Sequence, residues 1–89
     1  MSMETIYKYP LRLLADEITL LLPSGAEVLS VGTQGSEIMI WARVHTNHVD
    51  EKRTFVVRGT GHPLTGQEGR FIGTVQQEPF VWHIFERKA

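Results

Sequence analysis

The sequence predicts a small all-β domain, an antiparallel β-sandwich or barrel-like sheet of about seven short strands. Three observations carry this expectation. Apolar residues recur with a period of two along most of the chain, they are largely β-branched or aromatic, and clusters of Gly, Pro, Asn and Asp separate the runs.

The first strand is expected over Glu4–Tyr9, where Pro10 closes the run, and the second near Glu17–Leu22, closed by Pro23-Ser24-Gly25. The third spans about Ala26–Thr33, and Gly35-Ser36 turns the chain into the fourth, Glu37–His45. The polar stretch Thr46–Lys52 reads as a loop before the fifth strand, Arg53–Arg58. A long loop, Gly59–Gly69, leads to the sixth strand, Arg70–Gln76; a turn at Gln77-Glu78-Pro79 and a seventh strand, Phe80–Glu86, follow. The tail Arg87-Lys88-Ala89 is expected to be loose. One segment has two readings. Leu11, Leu14, Ile18, Leu21 and Leu22 also form a helical stripe, so that a short helix near 11–22 would make the fold α+β, whereas Ile18–Pro23 suits a strand preceded by a loop.

Length and composition bound the function. Eighty-nine residues make one domain, residues 1–89, with a thin core. The chain has no cysteine, so neither a disulfide nor a thiolate metal site supports it, and self-association becomes the expected route to further burial. Alternation places Met39, Trp41, Arg43 and His45 opposite Ile38, Ile40, Ala42 and Val44, and the seventh strand likewise carries apolar bulk on both sides. A homo-oligomer that covers one of these faces is therefore expected. A formal net charge of -1 argues against bulk nucleic-acid binding. No apolar run reaches the roughly 20 residues needed to span a membrane. The N-terminal MSMETIYKYP lacks the layout of a signal peptide, which points to a cytoplasm.

The segment Arg58-Gly59-Thr60-Gly61-His62-Pro63 stands out because two glycines beside a strand end let backbone N–H groups approach a ligand. Thr60 and His62 add donors and Arg58 a charged fork, a combination suited to a phosphate or carboxylate. The competing reading is a turn built from ordinary turn residues. Trp41, Arg43, Arg58, Arg70, Trp82 and His83 form a second set, able to stack a base and neutralise a phosphate if the sheet gathers them; strand tryptophans more often serve a core or interface. His45, His48, His62 and His83 follow no metal-binding motif, and no nucleophile stands beside a recognisable base. The expectation is thus no cofactor, no metal and no catalytic residue. General-base chemistry by His62, with Asp50 or Glu68 nearby, is the enzymatic alternative.

The runs Ile6-Tyr7-Lys8-Tyr9-Pro10-Leu11, Leu22-Pro23-Ser24-Gly25-Ala26, Trp41-Ala42, Gly59-Thr60-Gly61-His62-Pro63, Ile72-Gly73-Thr74 and Phe80-Val81-Trp82-His83-Ile84-Phe85-Glu86 together resemble a family of short, functionally unassigned phage and prophage proteins. The resemblance covers about 6–86 and brings no established activity. It implies a viral protein in the cytoplasm of a bacterial host, where small oligomeric β proteins capture nucleotide immune signals such as cyclic ADP-ribose isomers or cyclic oligonucleotides. A homo-oligomeric nucleotide sponge using Arg58, Gly59, Thr60, Gly61, His62, Arg43, Trp41, Arg70 and Trp82 is the leading expectation. A module docking on a host enzyme and a small nucleotide hydrolase are the alternatives.

Overall fold

The computed structural model describes residues 3–87. Its strands are β1 (Glu4–Pro10), β2 (Glu17–Pro23), β3 (Glu27–Gln34), β4 (Glu37–His45), β5 (Asp50–Gly59), β6 (Arg70–Gln77) and β7 (Phe80–Glu86). They form two antiparallel sheets, β1-β4-β3 and β2-β5-β7-β6, packed face to face as a small β-sandwich. No helix occurs among the described residues, so none is present that could cross a membrane.

The helical reading of 11–22 fails for a reason visible in burial. Leu14 and Leu21 of the supposed stripe are exposed (91% and 57%). Ile18, Leu20 and Leu22 instead alternate inward, opposite Phe55, Arg53 and Glu51. The backbone of 17–23 gains a complete ladder with β5, and that pairing outweighs a marginal helical stripe. The same ladder extends β5 to Asp50, because Pro23 and Leu22 sit opposite Asp50 and Glu51. Residues 11–16 are left as an irregular crossing over one end of the sandwich.

The core lies between the sheets. Leu22, Ile38, Ile40, Val44, Phe55 and Ile84 are fully buried, each contributing on the order of 1.5–3 kcal/mol. On one side the sheets nearly merge. A methyl group at Gly73 of β6 would come within 2.9 Å of Val31 Cγ1 of β3, so this close approach requires glycine. The other side stays open between β1 and β2.

Lys88 and Ala89 of the expected loose tail lie outside the described residues. Arg87 is anchored rather than loose. Its N–H donates to Thr54 O at 2.9 Å, and its guanidinium grips Glu17 at 2.7 and 2.9 Å, joining the end of β7 to β2.

Candidate functional site

The Gly59–Pro63 segment is a tight turn at the end of β5. His62 N–H donates to Gly59 O at 3.0 Å, and Gly61 takes the left-handed conformation (φ 88°) that favours glycine. Gly59 N–H donates to His62 Nδ1 at 3.2 Å, and Thr60 N–H to Val81 O at 3.3 Å. Of the N–H groups expected to face an anion, that of Gly59 is therefore spent inside the turn and that of Thr60 on β7. Arg58 is likewise occupied. Its guanidinium lies 3.3 Å from Glu68 Oε2 and 3.8 Å from Asp16 Oδ2, with only 13% of the side chain exposed. Two of the three amides of the nest expected from the sequence thus have partners within the protein, and Arg58 ties the 60–69 loop to the sheet.

Glu68 organises that loop. It accepts from Thr65 N–H at 2.6 Å, Gly66 N–H at 3.0 Å and Thr65 Oγ1 at 3.1 Å. The Thr65 N–H bond, most of all, holds the carboxyl down at about 2, although desolvation pushes the other way. A value depressed on folding stabilises the loop above the ordinary carboxylate value of 4.5, and this support is lost as pH falls through about 2. The Thr65 and Gly66 amide resonances should therefore keep their hydrogen-bonded shifts until the pH nears 2. A midpoint near 4.5 would show that the carboxylate does not hold the loop.

The remaining predicted residues do not gather in one place. Trp41 and Arg43 lie on the outer face of the three-stranded sheet, Trp41 over Gly32 and Arg43 3.7 Å from Glu27. Arg70 stands at the far end of β6 from the Gly59 turn, 3.8 Å from Glu86. The constellation divides because Trp41 and Arg43 belong to one sheet and the turn to the other. Two of them join the turn, His83 through Thr60 Oγ1 at 2.9 Å and Trp82 through Gly59. Trp82 is the one on its inner side. It pairs with Gly59 across β5–β7, and a methyl at Gly59 would meet His62 Cε1 at 2.9 Å and Trp82 Cζ3 at 3.3 Å.

His62 and Trp82 line a cavity of about 210 Å³ with Val57 and residues 13–16 of the crossing. Trp82 is held in place there: its Nε1–H donates to Gln77 Oε1 at 3.1 Å, and Gln77 Nε2 donates to Ser36 O at 2.9 Å. Because His62 Nδ1 accepts a hydrogen bond from Gly59 N–H, the neutral ring carries its own proton on Nε2 and offers a donor. Across Leu13 lies a second depression of about 370 Å³, lined by Arg12, Ser36, Glu37 and Gln77 among others. A third, of about 420 Å³, is lined by Arg12, Leu14, Ile18 and Leu20 among others.

Arg12 was missed by sequence reasoning. Every other arginine among the described residues lies within 4.0 Å of a carboxylate, and Arg12 does not. The only signal in the sequence was a cation in a loop between apolar residues, which is also the pattern of a solvated charge.

His83 does not line these cavities; it sits on the outer face of the four-stranded sheet, 2.9 Å from Thr60 Oγ1 and 2.9 Å from Thr74 Oγ1. Asp50 begins β5 and the Gly59 turn ends it, so Asp50 is not beside His62, and the oxygens of Glu68 are committed to its own loop. His45 and His48 stack with ring centres 4.6 Å apart. No group of His, Asp or Glu among the described residues is arranged to hold a metal ion.

A family model described as a domain of unknown function, DUF7352, matches residues 3–89. The chain belongs to this family. The match spans the segment over which the sequence resembles an unassigned family, and the DUF7352 description assigns no activity. No curated protein and no solved structure matches the chain significantly.

Proposed function

We propose that this DUF7352 domain is a non-catalytic binding module that captures a small phosphorylated nucleotide at the end of the sandwich capped by residues 11–16. The observation that carries this reading is the pair of depressions on either side of Leu13. One offers the pinned Trp82 ring and the His62 Nε2–H donor; the other offers Arg12, which has no carboxylate partner among the described residues. A base fits the first, since an indole wall and one donor suit a flat heterocycle, and a cavity of about 210 Å³ has room for little more than a ring. Phosphate fits Arg12, and Glu37 on the same lining accepts from a ribose hydroxyl. Stacking and charge-assisted bonds of about 1–3 kcal/mol each support micromolar or tighter binding.

The resemblance to phage and prophage proteins favours a setting in the cytoplasm of an infected bacterium, with a cyclic ADP-ribose isomer or cyclic oligonucleotide as the captured signal. Titration calorimetry across such nucleotides is expected to find a binder that is recovered intact after heating. Arg12→Ala should weaken it about tenfold, and His62→Phe should weaken it by a similar factor through loss of the donor. Binding by no member of the panel, or binding indifferent to both substitutions, would overturn the reading. Recovery of a cleaved product would make the protein an enzyme instead.

A second reading rests on Leu14, 91% exposed at the tip of the crossing, with Phe80 half exposed nearby on Trp82 at a ring separation of 5.3 Å. These are suitable anchors for a protein partner, the host-enzyme docking alternative.

A further inference from the structure

The open side of the sandwich leaves two strand edges, β1 and β2, without a neighbour in their own sheets among the described residues. The β1–β4 register shows which β1 groups are unspent. Leu11 N–H donates to Ile38 O and Thr46 N–H to Met3 O, both at 2.9 Å, so the odd-numbered residues Thr5, Tyr7 and Tyr9 direct their backbone groups at β4. The N–H and C=O of Glu4, Ile6 and Lys8 point the other way, towards the open edge. Ile6 is 57% exposed and Tyr7 45%, although both lie on a strand.

We propose that β1 is a dimerisation edge that pairs antiparallel with β1 of a second copy about a two-fold axis at Ile6. In this register all three outward-facing residues of the strand, Glu4, Ile6 and Lys8, meet one another as hydrogen-bonded pairs, whereas an axis at Tyr7 would set Glu4 against Pro10, which has no N–H. The axis at Ile6 sets Ile6 against Ile6 of the second copy, Glu4 against Lys8 of the second copy, and Lys8 against its Glu4. The strand is thus complementary in charge to itself, as an isologous contact requires. Pro10, which lacks an N–H, falls outside the paired stretch and ends it. The two three-stranded sheets become one continuous sheet, and the thin core gains a neighbour.

Lys8 Nζ now donates to Gln34 Oε1 at 2.7 Å and Glu4 lies 3.3 Å from His45 Nε2; both contacts are exposed. Lys8 has two further donors and Glu4 a second carboxylate oxygen for the partner strand. The β2 edge lacks this complementarity. Self-pairing about Thr19 would set Glu17 against Leu21, and Glu17 is already held by Arg87. The β3 and β6 edges shield one another across the Gly73–Val31 contact.

The dimer does not depend on the nucleotide reading and is tested without ligand, by sedimentation equilibrium of the full chain. The expected result is twice the chain mass, with Lys8→Glu raising the dissociation constant at least about tenfold, because two like-charge pairs then face each other. The double reversal Glu4→Lys with Lys8→Glu is expected to restore the dimer to within about threefold of the original. Ile6→Pro removes only an N–H on the free edge and should also dissociate it. Circular dichroism confirms that each variant is folded; if Ile6→Pro fails to fold, the two charge variants decide alone. A wild-type monomer at about 1 mM, a dimer indifferent to Lys8→Glu, or no rescue by the double reversal would overturn the proposal.

Discussion

Gly69→Ala should lose roughly 4 kcal/mol or more of folding free energy, enough to remove most of the stability of a domain this small. Gly69 has φ +100°, and a methyl group there would stand 2.6 Å from Arg87 Cα and 2.7 Å from Glu86 C, with Glu86 O also in its path. These are backbone atoms, held where Glu86 pairs with both Phe55 and Arg70, so no side-chain rotation relieves the overlap. Gly66→Ala is the control. It shares a positive φ (+89°), but nothing lies within 4 Å of its added methyl, so its cost should be only the backbone strain of about 1–2 kcal/mol. Urea unfolding followed by tryptophan fluorescence measures both. Equal losses in the two variants would show that strain, not the contact with β7, sets the requirement for glycine at Gly69.

Glu86→Ala is expected to cost about 3–5 kcal/mol, because it strands a partly buried guanidinium. Arg53 Nε donates to Glu86 Oε2, and Arg53 Nη1 donates to Ala26 O at 2.9 Å; the two side chains are only 16% and 10% exposed. Both come from inward-facing positions at the end of the core, where β5 and β7 leave the apolar layer. Removing the carboxylate leaves Arg53 with Ala26 O and the more exposed Glu51, 3.3 Å away. The double variant Arg53→Met with Glu86→Leu should lose less than Glu86→Ala, since an apolar pair of similar size avoids stranding a charge. The same urea series gives the coupling, and a double variant no more stable than Glu86→Ala would count against an ion pair as the cause.

Much of the architecture was legible because it depends on local alternation. Strand β4 is expected and found over Glu37–His45 with Ile38, Ile40, Ala42 and Val44 inward, and β7 is expected and found over Phe80–Glu86. The start of β5 was less legible. Asp50-Glu51-Lys52 carries the composition of a loop, and only its ladder with Leu21–Pro23 makes it a strand. The helical stripe at 11–22 was a real periodicity that hydrogen bonding to a distant strand overrode.

At the site, the sequence marked the Gly59–Pro63 turn as unusual, and the turn does help to shape a cavity, through His62 beside Trp82 of β7. Its chemistry was not legible. Whether Arg58 is a ligand cation or a strut depends on where Glu68 and Asp16 arrive, and neither distance is encoded by neighbours in the chain. Arg12 passed unnoticed for the converse reason, since what distinguishes it is that no carboxylate of the described residues lies nearby in space.

From residue order alone came the strand-rich class, the approximate strand limits and the inward-facing residues, all consequences of a side-chain period of two and of turn residues. Sheet membership came from pairing over long separations, such as β2 with β5 and β1 with β4, and it carried Trp41 and Arg43 away from the turn that Trp82 joins. The free edge of β1 was settled in the same way. Which backbone groups remain unspent depends on the register of the whole sheet, a property that no single segment holds.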